Sequence, residues 1–105
     1  IYVKDILSVC LFLKNERPTS GIYNLGSGKA RSFNDLVINT FKALDKEPKI
    51  EYIDTPLDIR DKYQYYTEAD MSKLLAQGYK LPFTSLERGV KEYITDYLNK
   101  NHSIY

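Results

Sequence analysis

Residues 6–13 constrain this chain more than any other stretch, because seven of the eight are apolar and only Ser8 interrupts them. A helix built on that run has no polar side to turn to water and must be covered all round. The chain's 105 residues suit one domain with a modest core, too little to wrap such a helix completely. Part of its packing surface is therefore expected to lie outside the chain. The run is also far shorter than the roughly 20 residues that span a bilayer, so it does not read as a membrane anchor. The opening Ile1-Tyr2-Val3-Lys4-Asp5 has neither an initiator Met nor the charged region of a signal peptide, and predicts a start within a longer protein.

Composition narrows the classes. Hydrophobic residues at 43% and charged ones at 28% are the balance of a folding, soluble chain. A net charge of +1, with lysines spread along the sequence, supplies no basic field for a phosphate backbone, so nucleic acid is not an expected partner. The single cysteine, Cys10, allows no intramolecular disulfide and fits a reduced, cytoplasmic setting. His102, the only histidine, has no second His or any Cys at metal-ligand spacing, and no Ser-His-acid set forms around it. Hydrolase and metal chemistry fall away.

The pattern predicts an α/β fragment of about four helices and two or three short strands. Asp5 is expected to N-cap a first helix over 6–15, its carboxylate accepting free amides of the first turn. A turn at 17–21 leads to a strand at 22–25, and Gly26-Ser27-Gly28 turns the chain again. Ser32 and Asp35 then form a capping box ahead of Phe33, Leu36, Val37, Phe41 and Leu44, which recur at helical spacing. A second strand at 49–54 is expected to pair in parallel with 22–25, since an intervening helix is the usual crossover between parallel neighbours. Thr67 and Asp70 are read as a reciprocal cap for a short helix with Met71, Leu74 and Leu75, stopped by Gly78. Thr84-Ser85-Leu86-Glu87 repeats the start signal for a last helix striped by Leu86, Val90, Tyr93, Ile94, Tyr97 and Leu98. Residues 1–98 form one unit in this reading, and 99–105 a frayed tail.

Two segments could carry chemistry. Gly26-Ser27-Gly28-Lys29-Ala30-Arg31 starts like a dinucleotide loop, but Arg31 stands where the third glycine belongs, so the segment reads as a structural turn. Residues 60–66 place Arg60, Lys62, Tyr63, Tyr65 and Tyr66 on a stretch with no helical or strand period. Arg can clamp a phosphate with two parallel bonds, and Tyr can stack on a base or bond a sugar hydroxyl. A solvated loop with packing aromatics is the plain alternative.

Tyr2-Val3-Lys4-Asp5-Ile6, Gly21-Ile22-Tyr23-Asn24-Leu25-Gly26-Ser27-Gly28 and Ser32-Phe33 resemble the C-terminal, substrate-binding portion of extended short-chain dehydrogenase/reductases that act on nucleotide sugars. Tyr63-Gln64-Tyr65-Tyr66-Thr67-Glu68-Ala69-Asp70, Gly78-Tyr79, Pro82-Phe83 and Gly89-Val90-Lys91-Glu92-Tyr93 are similar to the epimerases among them that take ADP-heptose. UDP-sugar 4-epimerases and dTDP-sugar dehydratases share the earlier turn and the last helix, and a non-catalytic interaction domain is a further alternative. The resemblance implies an NADP-dependent isomerase for lipopolysaccharide core biosynthesis, a homo-oligomer whose N-terminal Rossmann half holds the cofactor. It assigns substrate binding to Tyr63, and the diphosphate to Arg60. Catalysis in such enzymes uses a Tyr-x-x-x-Lys pair, and none of the ten tyrosines here has Lys four residues later. No catalytic, cofactor-binding or metal-binding residue is thus assigned within the chain, and alone it is expected to be inactive and to bind no NADP.

Overall fold

Residues 1–80 and 82–100 are described by a computed structural model, and their regular structure is helical: α1 (Val3–Glu16), α2 (Phe33–Ala43), α3 (Leu57–Arg60), α4 (Ser72–Ala76) and α5 (Leu86–Tyr93), the last continuing into a π-helical turn, Ile94–Leu98. The α/β expectation is overturned, because the described residues contain no strand and so no parallel pair between 22–25 and 49–54. Two short strands are not a stable sheet unless further strands or a helix layer cover them, and parallel pairs need cover on both faces. Here Ile22 is 88% and Ile53 83% exposed, so the faces have no cover. The Ile22 carbonyl, which a ladder would use, instead accepts a hydrogen bond from Lys73 Nζ at 2.7 Å. The first segment serves as a packing strip, Tyr23 and Leu25 lying against the core.

Side-chain caps start α2 and α5. Ser32 Oγ accepts from the Asp35 amide at 3.0 Å, and Asp35 Oδ2 accepts from the Ser32 amide at 3.2 Å, closing the box that starts α2. Ser85 caps α5, accepting from the Arg88 amide at 3.2 Å. Gly78 ends the turn after α4 at φ 98°, a conformation open to glycine.

Three capping expectations did not hold. Asp5 is not the N-cap of α1, which begins earlier, with Tyr2 in that position and no side-chain cap. The Asp5 carboxylate is buried and engaged elsewhere, accepting from the Thr84 amide and the Thr84 hydroxyl at 2.8 Å each. Thr84 is thereby withdrawn from capping α5. Asp70 accepts from the Ser72 amide at 2.9 Å, while the Thr67 hydroxyl turns to Gln64, so no reciprocal cap forms between Thr67 and Asp70. Pro56 starts the single turn α3, which has too few residues for a helical period to show in sequence. At the other end the Asn99 amide donates to the Ile94 carbonyl at 2.8 Å, closing the π-helical turn; residues 101–105, His102 included, lie outside the described residues.

Val9, Met71, Leu74 and Tyr79 make the buried core, with Phe12, Leu13, Tyr23, Leu25, Ala69 and Phe83 packed around it. Phe12 meets Tyr79 edge to face, ring centres 5.3 Å apart. A second layer forms where α2 packs on α5 and its π-helical turn. Residues near the start of α1 join the layers: a Cβ on Gly89 would sit 3.4 Å from the Tyr2 ring, Tyr2 donates its hydroxyl to Glu92 at 3.1 Å, and Lys4 pairs with Glu92. The radius of gyration is 17.0 Å, against about 13 Å for a close-packed domain of this length. The chain is a flat slab of 46 × 40 × 21 Å. Although the apolar run calls for cover all round, the described residues cover α1 on one side only, and Val3, Leu7, Cys10 and Leu11 are exposed.

Two consequences can be measured. Asp5→Ala leaves the half-buried Thr84 amide without its charged acceptor and should lower unfolding free energy by about 1.5–3 kcal/mol. Thr84→Val should cost much less on the Asp5→Ala background than alone, and thermal melts of the double-mutant cycle that add independently would refute the coupling. The second concerns acid. Arg31 spans α2 and α5, its Nη1 donating to Glu87 at 3.2 Å and its Nε to Asp35 at 3.3 Å. The Arg31 bond, then a backbone bond, lowers the Glu87 pKa from 4.5 to about 2. Folding depresses that value, so the contribution is complete above the unfolded pKa and is lost as pH falls toward the folded one. Glu87→Gln should therefore lose less stability than wild type between about pH 5 and pH 2. Equal acid slopes would show that the pair contributes nothing.

Candidate functional site

The segment 60–66 leaves α3 and is tied down at both ends by its own side chains. Arg60 folds back on the turn, Nη2 and Nε donating to the Thr55 carbonyl at 2.8 and 3.2 Å. Tyr63 meets Tyr65 edge to face at 5.2 Å, and with 39% exposure it is much less open than Tyr65 or Tyr66. Tyr66 donates to Glu68 Oε2 at 2.7 Å, and the same oxygen accepts from the Ala30 amide at 3.1 Å. That carboxylate links the tyrosine segment to the glycine turn.

The glycine turn is held by close approach. A Cβ on Gly26 would lie 2.6 Å from the Ala69 methyl, so only a residue without a side chain lets the two segments meet. Gly28 adopts φ 72°, the left-handed conformation expected of a turn glycine. The Gly26 amide points to Met71 Sδ at 3.2 Å and the Lys29 amide to the Ser27 hydroxyl at 3.4 Å. With those amides and that of Ala30 committed within the protein, and α2 starting only at Phe33, the turn does not fit a pyrophosphate cradle. These residues do not fit a dinucleotide.

Beside the turn lies an open groove of about 800 Å³, lined among others by Ser27, Lys29, Tyr66, Asp70, Lys80 and Phe83. Neither Arg60 nor Tyr63 lines it, so the two sequence-singled residues and the groove are separate features. The groove is not legible in the sequence, since Lys29 and Lys80 stand 51 positions apart and only tertiary packing brings them to one concavity. Its carboxylates are already bonded. The Tyr66 hydroxyl, then the Ala30 amide, hold Glu68 below the usual glutamate range, and Ser72 does the same for Asp70. The Glu68 bond, followed by its charge, pushes the Tyr66 phenol up. These groups keep their ordinary charge states near neutrality and suit binding better than proton transfer. Among the described residues no group of three or more His, Cys, Asp or Glu could hold a metal, and no helix is long and apolar enough to cross a membrane.

No family model matches the chain. Among curated proteins it is 51% identical over 98 residues to the ADP-L-glycero-D-manno-heptose-6-epimerases of two strains of Nitratidesulfovibrio vulgaris, DP4 and Hildenborough, covering 93% of this chain and 30% of each relative. It is 44% identical over 109 aligned residues to the ADP-L-glycero-D-manno-heptose-6-epimerase of Fusobacterium nucleatum, covering 98% of this chain and 33% of that protein. The chain spans about a third of the length of the curated relatives it matches, in their C-terminal portion.

The close approach at Gly26 can be tested directly. Gly26→Ala should destabilise by about 1–3 kcal/mol, the usual cost of overpacking, and Ala69→Gly should restore part of the loss. A Gly26→Ala melt unchanged from wild type would show that the segments are not held against each other.

Proposed function

We propose, from a chain homologous to the C-terminal portion of ADP-L-glycero-D-manno-heptose-6-epimerases, that it is the substrate-binding part of such an enzyme. In this reading the parent is an extended short-chain dehydrogenase/reductase that interconverts ADP-D-glycero- and ADP-L-glycero-D-manno-heptose by oxidation and re-reduction at C6. The product serves lipopolysaccharide core biosynthesis in the cytoplasm. Identity of 51% across 93% of the chain is the observation that carries the proposal. The shared name of the relatives favours it over a UDP-sugar 4-epimerase, a dTDP-sugar dehydratase or an interaction module.

NADP supplies the hydride chemistry and is held elsewhere in the parent, in keeping with the poor fit of the glycine turn here. This chain's contribution is to bind and orient. Tyr63, exposed but less open than its neighbours and in edge-to-face contact with Tyr65, offers its hydroxyl to the nucleotide sugar. Arg60 is proposed for the diphosphate. Two of its nitrogens are engaged by the Thr55 carbonyl, which leaves Nη1 for a phosphate oxygen without unmaking that hold.

In a full-length enzyme carrying this segment, Tyr63→Phe removes one hydroxyl and keeps the ring packing. If its partner is an ionised phosphate, the loss is about 1.5–3 kcal/mol, or roughly 10- to 150-fold in kcat/KM for ADP-heptose. Melting temperature should hold. Kinetic constants within about twofold of wild type, with a shifted melt, would remove Tyr63 from the binding surface. Absence of ADP-heptose turnover in the folded full-length protein would overturn the functional reading itself.

A further inference from the structure

Residues 56–68 are exposed without a break, and Ala69 is the first after them to pack against the core, with Met71 buried two residues on. This span carries Arg60 and Tyr63, so whatever fixes it in place acts from its ends. At its start Arg60 bonds the Thr55 carbonyl, and within it the Thr67 hydroxyl donates to Gln64 at 3.4 Å while Tyr63 meets Tyr65 ring to ring. Those contacts close the span on itself. Among its described side-chain hydrogen bonds, only the one from Tyr66 to Glu68 Oε2 leads out, because the same oxygen accepts from the Ala30 amide 38 positions away. Glu68 also precedes Ala69, whose methyl fills the space left by Gly26, so its backbone is seated on the glycine turn. The carboxylate stands between a fixed base and an open loop.

We infer that Glu68 is a positioning residue for substrate: by clamping Tyr66 to the glycine turn it orders the segment that presents Tyr63 and Arg60, an assignment that rests on the reading of that segment as the nucleotide-sugar contact. Stability is not its role. Tyr66 is 71% exposed and Glu68 is exposed beside it, and two groups that water already satisfies add little to the fold by meeting. What the bond changes is the freedom of the loop. Tyr66 follows Tyr65 directly, and the Tyr65 ring centre lies 5.2 Å from that of Tyr63, so restraint at Tyr66 passes to Tyr63 through one peptide bond and one ring contact. A site assembled only part of the time binds more weakly in proportion to the fraction assembled. The diphosphate is the same in substrate and transition state, so the loss falls on KM and leaves kcat. Position, not charge, is what the carboxylate supplies, since both donors meet one oxygen and an amide oxygen in its place could accept from both.

The test uses a full-length enzyme carrying this segment, with steady-state kinetics on ADP-heptose, NADP affinity and a thermal melt for each variant. Glu68→Ala should raise KM roughly 2- to 10-fold, as the assembled fraction falls with the loss of one exposed hydrogen bond, while kcat, NADP affinity and melting temperature hold. Glu68→Gln keeps an oxygen for both donors and should stay within about 1.5-fold of wild type. Tyr66→Phe cuts the same link from the other side and should match Glu68→Ala, with the double variant no worse than either. Effects that multiply, or a KM raised by only one of the two changes, show residues acting independently and overturn the assignment. So does a Gln variant as weak as the Ala variant, because charge would then be at work, and so does a KM rise that comes with a lowered melt. Should Glu68→Ala fail to fold, Tyr66→Phe, which keeps its ring, carries the comparison with Glu68→Gln. Turnover by wild type with every variant less than about twofold changed sinks the positioning role alone. No turnover by the folded wild type sinks the epimerase reading, and the positioning role with it.

Discussion

The structure depends on one carboxylate taken out of water. Asp5 lies in the first turn of α1 with 8% exposure, and a charge so placed is tolerable only if both oxygens find donors. Thr84 provides them from its amide and its hydroxyl. The pair fixes the first turn of α1 against the residue just before the Ser85 cap. That in turn sets Tyr2 over Gly89 and brings Lys4 and Tyr2 to Glu92. The same charge reaches the core, where burial first and Asp5 second push the Tyr79 phenol up. Two packing layers that share few side chains are thus held in register by a polar contact at one end of a helix.

That helix is shared between inside and outside. One face of α1 completes the small core with α4 and Tyr79, and the other presents leucines to solvent. The arrangement explains how a chain can have orderly caps and yet remain a flat slab: local bonds shape the elements, while apolar burial is left half finished. The glycine turn shows a similar economy. Gly26 admits Ala69, and Glu68 then bonds both Tyr66 and Ala30, so the loop that looked like a nucleotide cradle is spent on holding the tyrosine segment in place.

What the sequence alone determined are features whose partners lie within a turn of each other, although that spacing was not sufficient by itself, since Thr67 and Asp70 form no reciprocal cap. The Ser32–Asp35 box, the start of the last helix within 84–87, the Gly78 stop and the two-sided apolarity of α1 all follow from spacings of one to four residues, because the backbone of a nascent helix already holds such groups together. The resemblance of residues 63–70 to nucleotide-sugar epimerases was likewise present in the bare letters, and the curated relatives bear out that kinship. Tertiary structure decided the rest. Whether 22–25 and 49–54 pair depends on neighbours and cover that no alternation pattern contains, and Lys73 and open solvent claim them instead. Asp5 read as a cap because its sequence position suits one; a threonine 79 residues away offered two donors and a dry environment, and won. The groove between Lys29 and Lys80 has the same origin. Local bonds are encoded where they form, whereas a strand, a buried charge or a concavity is defined by what the folded chain brings beside it.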